Sequence, residues 1–158
     1  YHIMKILFVC LGNICRSPMA EGIFRDRATS LGLDIEFDSC GTGDWHVGEE
    51  PDERAQACIR KNGSEISDLR GRQFEQSDFE DFDRIYTMDE SNHKNVLKLT
   101  DNPQHKSKVK MLLNETHPGS NMSVPDPYFG GDSGFDAVYK MLSQAAEKVL
   151  NEIGDDEG

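Results

Sequence analysis

Within Cys10-Leu11-Gly12-Asn13-Ile14-Cys15-Arg16-Ser17 the chain sets a nucleophile, a tight turn and a guanidinium inside a single connection. An apolar run, Met4 to Val9, precedes it and a helical pattern starts at Ser17, so Cys10 stands at a strand end facing the start of a helix. Unpaired N–H groups and the dipole at such a start favour negative charge, which makes a thiolate the expected form of Cys10. Gly12 and Asn13 tolerate left-handed backbone, so successive N–H groups can curl inward into a nest for the oxygens of a phosphate. Leu11, Ile14 and Cys15 complete the curl. Arg16 can donate two parallel hydrogen bonds to phosphate oxygens, contacts that strengthen as charge spreads over a transferring group, and Lys cannot reproduce that fork. Ser17 can bring its hydroxyl near the sulfur while starting the helix.

The elements that must hold this loop follow from periodicity. Met4 to Val9 reads as a buried strand; Met19, Ile23, Ala28 and Leu31 share a helical face that ends at Gly32, with Pro18 in the first turn. Alternation over Asp34 to Ser39 gives a second strand, and the Gly-rich Cys40 to Pro51, with the chain's one tryptophan, gives a surface loop. Short helices are expected over Arg54 to Lys61 and Ser77 to Phe82, strands over Arg84 to Thr87 and Val109 to Leu113, and a helix capped by Asp89 that runs to about Leu99. Asn114 to Gly131 is a long loop, of a kind that is often functional, and Ser133 to Ile153 an amphipathic helix. Residues 155–158 should fray, and the acidic stretch from Glu75 to Asp83 reads as a solvated face. Strands alternating with helices imply one α/β domain, residues 4–154, built on a four-stranded parallel twisted sheet with helices on both faces. Ligands of such sheets bind beyond the carboxyl ends of the strands, where Cys10 lies.

The run C-L-G-N-I-C-R-S-P, Cys10 to Pro18, resembles the signature loop of the low-molecular-weight protein tyrosine phosphatases, and the likeness extends over nearly the whole chain from Met4. The resemblance implies hydrolysis of phosphotyrosine through a cysteinyl-phosphate, with Cys10 as nucleophile and Arg16 as phosphate clamp. Val124-Pro125-Asp126-Pro127-Tyr128 resembles the family's acid loop, which makes Asp126 general acid and then base; the chemistry needs one, since a phenolate leaves more easily when protonated. By the same resemblance Asn13 supports the loop with Ser17 and Ser39, and Trp45 and Tyr128 wall the substrate ring, with Phe129 next to Tyr128 where a second tyrosine is common. It further suggests Cys15 as redox partner of Cys10, in a reversible disulfide. One departure is Leu69, where many members carry a histidine, which predicts a weaker or differently wired polar network behind the loop.

Bulk properties bound these readings. The 158 residues suit one domain, and 36% hydrophobic with 29% charged residues lies inside the globular range. A formal charge of −12 argues against nucleic acid or an anionic membrane as partner, yet a few amides and one arginine can hold a dianion within an acidic protein. No run of some 18 apolar residues occurs, so a cytoplasmic protein is expected; its oligomeric state stays open, with a monomer favoured. Tyr1, His2 and Ile3 read as an expression scar. Four sparse cysteines read as reduced thiols, with Cys40 and Cys58 buried and structural, and neither they nor the five scattered histidines have metal-like spacing; no metal or cofactor is expected. Three rivals remain. An arsenate reductase of this fold needs two further cysteines, and none follows Cys58. A protein-arginine phosphatase on the same scaffold carries Thr and Phe where this chain has Ile14 and Tyr128. An inactive phosphate-binding module has no use for the trio Cys10, Arg16 and Asp126.

Overall fold

The computed structural model describes residues 2–157. Strand β1 (Met4–Cys10) leads through the Cys10 to Cys15 loop into α1 (Arg16–Ser30); β2 (Ile35–Gly41), α2 (Glu53–Lys61) and a short α3 (Asp78–Asp81) follow. Then come β3 (Arg84–Thr87), α4 (Glu90–Leu97), α5 (Pro103–Ser107), β4 (Val109–Met111), a 3-10 turn (Leu112–Asn114) and the closing helix α6 (Asp132–Glu157). The four strands pair in the order β2-β1-β3-β4, all parallel. This is the α/β architecture that alternating strands and helices imply.

The two faces of the sheet bury two apolar clusters. Ile6, Phe8 and Cys10 point with Met19, Phe24, Val138, Leu142 and Val149 into one, beneath α1, α2 and α6. Leu7 and Val9 point with Phe74, Phe79, Ile85 and Val96 into the other, beneath α3 and α4. The period of two along β1 therefore decides that the Cys10 side chain emerges on the α1 side. Among the described residues no helix is long and apolar enough to cross a membrane.

Several expectations need correction. The closing helix continues through Glu157 instead of ending near Ile153, carried by Leu150 and Ile153, which stay buried. Helix α5 was not expected, although Asn102 caps it by accepting from Gln104 N and Pro103 opens it, both ordinary start signals in a short, polar stretch. The acidic segment is not uniformly solvated. Asp78 is 3% exposed, accepts from Glu75 N at 2.8 Å and pairs with Arg72 at 3.0 Å, because Phe79 and Phe82 on the same turn must reach the core.

Candidate active site

The loop from Cys10 to Cys15 gains its shape by fastening its carbonyls outward. Cys10 O accepts from Thr42 N and Leu11 O from Gly43 N, both at 2.9 Å, while Ile14 O accepts from Asp52 N at 2.8 Å and Cys15 O from Met19 N at 3.1 Å. In a trans peptide the N–H points opposite to the C=O, so the following amides, on Leu11, Gly12, Cys15 and Arg16, face the concave side. Asn13 takes the left-handed backbone that closes the curl, φ 58°. Gly12, expected to do the same, does not; the ring of His46 packs over it, and a β-carbon there would lie 3.1 Å from His46 Cδ2. Gly41 is required more strictly, since a β-carbon at that position would sit 2.6 Å from Leu11 O and 3.2 Å from Asn13 N.

At the loop's centre Cys10 Sγ lies 3.0 Å from Ser17 Oγ and accepts from Asn13 N at 3.2 Å. Ser17 does not cap α1; Cys15 stands at that position, and the Ser17 hydroxyl turns back to the sulfur. A chain of polar side chains supports it. Asn13 Nδ2 donates to Ser17 Oγ at 2.8 Å and to Ser39 Oγ at 3.0 Å, while its Oδ1 accepts from Arg72 N at 3.0 Å. Ser17 Oγ thus accepts a hydrogen bond from Asn13 and has its own proton to give to Cys10 or to Cys40 O, 3.3 Å away. Ser39 in turn donates to Glu21 Oε1 at 2.8 Å. Sequence reasoning missed Glu21, whose carboxyl is buried on α1, and Leu69 takes no part in the chain, packing instead against the larger apolar cluster.

Burial pushes the Glu21 carboxyl up to about 7, against the Ser39 hydrogen bond that lowers it. The sign follows directly: the fold prefers protonated Glu21, so this contribution to stability is fully present below pH 4.5 and is lost as pH rises through about 7. Relative to Glu21→Gln, the parent protein is expected to lose up to roughly 3 kcal/mol of stability across that window. Urea melts of the two proteins at pH 4.5, 6 and 7.5 measure the difference, and a constant gap would mean that Glu21 keeps one charge state throughout.

Arg16 is 3% exposed and fixed before any ligand arrives: Nη1 donates to Asp89 Oδ2 at 2.7 Å and to Val124 O at 3.0 Å, and Nη2 stands 3.8 Å from Asp126 Oδ2. Burial opposes its charge, but Cys10, the hydrogen-bonded Asp89 and Asp126 outweigh burial and hold the guanidinium more firmly ionised than usual. Asp89 was expected only as the cap of α4. It does cap, accepting from Asn92 N at 2.8 Å with one oxygen, and grips Arg16 with the other. The segment that carries Asp126 is pinned at its start, where buried Val124 donates its N–H to Met88 O at 2.7 Å, just beyond β3. Asp126 itself accepts from Tyr128 N at 3.0 Å.

These groups open onto one cleft of about 170 Å³, bordered by Cys10, Arg16 and Asp126 below and by Trp45, Tyr128 and Phe129 at the rim. Trp45 is 69% and Phe129 89% exposed, the latter edge-on to Tyr128 with ring centroids 5.0 Å apart. Leu11, Gly12, Ile14 and Cys15 also line it, as does His46, to which the sequence assigned no role. The side chains of Asn13, Ser17 and Ser39 do not line the cleft and form the hydrogen-bonded support behind it. All four cysteines, Cys10, Cys15, Cys40 and Cys58, are free thiols and buried. Burial, then Asp52 and Cys10, pushes the Cys15 thiol well up, so it stays protonated near neutrality.

Sheet order, loop and cleft define a class: a parallel α/β domain whose first strand ends in a Cys-x5-Arg loop roofed by an Asp-bearing segment. The chain belongs to the low molecular weight phosphotyrosine protein phosphatase family, whose family model matches residues 5–157. It is 44% identical over 154 residues to a low molecular weight phosphotyrosine protein phosphatase of Schizosaccharomyces pombe, covering 95% of this chain and 97% of the relative. The crystal structure of YfkJ from Bacillus subtilis superposes with a TM-score of 0.90 at 38% identity, over 100% of this chain and 99% of that one. A Drosophila arginine phosphatase superposes with a TM-score of 0.88 at 35% identity, over 95% and 98%.

Proposed function

We propose that the protein hydrolyses phosphotyrosine in proteins and peptides, and small aryl phosphates, by passing the phosphoryl group through Cys10. The carrying observation is the convergence of Cys10, Arg16 and Asp126 on one cleft with an aromatic rim. Asn13 N donates to the Cys10 sulfur and the Ser17 hydroxyl lies 3.0 Å from it, so the nucleophile is held at the centre of the loop. In the first step the sulfur attacks phosphorus, the bond to the phenolic oxygen breaks, and Asp126 gives its proton to that oxygen. In the second, Asp126 takes a proton from water, the hydroxide attacks phosphorus, and the sulfur–phosphorus bond breaks to release phosphate and the sulfur anion. The inward amides and Arg16 bear the charge on the equatorial oxygens throughout.

Relatives named as phosphotyrosine phosphatases support this substrate class, and the Drosophila neighbour keeps phosphoarginine as the competing one. Ile14 offers no polar contact to a guanidinium, whereas Trp45, Tyr128 and Phe129 suit a flat ring. Matched phosphotyrosine and phosphoarginine peptides decide between them by kcat/KM. Phosphotyrosine is expected to win by at least about a hundredfold, the discrimination a shaped pocket supplies, and faster turnover of phosphoarginine overturns the assignment.

Cys15 serves in this reading as a resolving thiol. Peroxide converts Cys10 to a sulfenic acid; the Cys15 sulfur then displaces its hydroxyl, which leaves as water, and a disulfide forms. Because Cys15 is held protonated, closure should accelerate as pH rises, and thiol-reversible recovery after peroxide should fall in Cys15→Ala. Recovery unchanged in that variant contradicts the bridge.

A further inference from the structure

Helix α2 begins beside both loops of the site, and one side chain on its first turn joins them. Asp52 caps the helix, accepting from Arg54 N at 2.8 Å, and its carboxylate holds the Arg54 guanidinium through Nε at 3.1 Å and Nη2 at 3.2 Å. From that anchor Arg54 Nη2 donates to Tyr128 O at 2.8 Å and Nη1 to Gly130 O at 3.2 Å. The guanidinium also lies over two rings, 5.4 Å from the centroid of Tyr128 and 4.9 Å from that of Phe135 on α6. The amide of Asp52, meanwhile, donates to Ile14 O within the Cys-x5-Arg loop. Contacts therefore run without a break from Ile14 through Asp52 and Arg54 to the two carbonyls that follow Asp126.

We propose that Arg54 is a positioning residue for the general acid: a strut, seated on Asp52, that fixes the Asp126 segment at its working distance from the phosphate loop. The proposal rests on the reading of Asp126 as the acid. Its physical basis is the way the segment is held. Residues 122–127 have no regular structure and Asp126 is 37% exposed at its side chain, so few neighbours restrain it. On the amino side Val124 is tied to Met88 and Arg16; on the carboxyl side Arg54 supplies a pair of charge-assisted bonds across Tyr128 and Gly130. Since Asp52 balances the charge of Arg54, the strut acts on substrate by geometry more than by field. A displacement of about 1 Å at a catalytic group costs up to about a hundredfold, and here the loss must fall on proton transfer to the leaving group.

The test compares phenyl phosphate, whose leaving group needs a proton, with 2,4-dinitrophenyl phosphate, whose leaving group does not. Arg54→Met, which keeps the stem and loses the donors, is expected to lower kcat on phenyl phosphate about tenfold or more and on the dinitrophenyl ester less than about threefold. Arg54→Lys should recover part of the loss, and inhibition by inorganic phosphate should hardly change. Asp52→Asn loosens the strut from its other end and should show the same selectivity should Arg54→Met fold poorly. In an Asp126→Asn background Arg54→Met should add no further leaving-group-selective loss, because the group it positions is gone. Equal losses on both esters, or a full additional loss in the Asp126→Asn background, overturn the strut while leaving Asp126 as acid. An Asp126→Asn enzyme indifferent to the leaving group removes the acid assignment, and the strut with it.

Discussion

Cys10→Ser is expected to cut kcat on phosphotyrosine peptides by about 10⁵-fold or more, on the scale of nucleophile removal in other covalent catalysts, while inorganic phosphate still binds within a few-fold of its parent affinity. The separation follows from the site. The hydroxyl of serine fits the space of the thiol between Ser17 and Asn13, and the phosphate-facing amides are set by carbonyl bonds to Thr42, Gly43, Asp52 and Met19, none of which involves the sulfur. Binding should survive for that reason. Turnover should not, because a hydroxyl in that place has no base beside it: Asn13 N donates to the sulfur and Ser17 is itself an alcohol, and neither activates a serine. Steady-state kinetics with competitive inhibition by phosphate measures both quantities on one preparation, and appreciable residual turnover in Cys10→Ser contradicts the covalent route.

Arg16→Lys should behave differently, losing binding and turnover together. A lysine has no fork to place on two equatorial oxygens, and it also abandons Asp89 Oδ2 and Val124 O, which Arg16 Nη1 satisfies in a site almost closed to water. We expect kcat/KM to fall by about 10² to 10³-fold, the loss typical of removing a donor aimed at transition-state charge, with phosphate inhibition weakened in the same variant. A further drop in stability of about 1–3 kcal/mol is expected from the partners left behind. A loss confined to KM would mean that Arg16 only recognises phosphate in the ground state.

How much of this was legible in the sequence depends on the distance over which each feature is encoded. The strand, loop and helix around Cys10 are local: an apolar run, turn residues and a helix with Pro18 in its first turn name one another, and the β1 and α1 bounds agree within a residue or two. The β3 strand, Arg84–Thr87, is equally local. What escaped is long-range. Glu21 looks like an ordinary polar helix residue until β2 brings Ser39 to it, and Asp89 reads as a cap because its grip on Arg16 crosses 73 positions. Arg54 likewise belongs by period to a short helix, and only the return of the chain at Tyr128 shows what it holds. Gly12 shows the opposite error, a residue read for its backbone freedom that is instead small to admit the His46 ring. The period of a helix or strand can be read along the chain; a partner brought in by tertiary contact cannot.

Catalysis through Cys10 requires a phosphoryl group resident on sulfur. Rapid quench of the enzyme with a labelled phosphotyrosine peptide, followed by proteolysis and mass spectrometry, looks for it directly. One phosphoryl group on the peptide bearing Cys10 within the first turnover, absent from Cys10→Ser, is the predicted result; rapid turnover with no phosphorylated Cys10 at any time, and inversion of configuration at phosphorus, would contradict it.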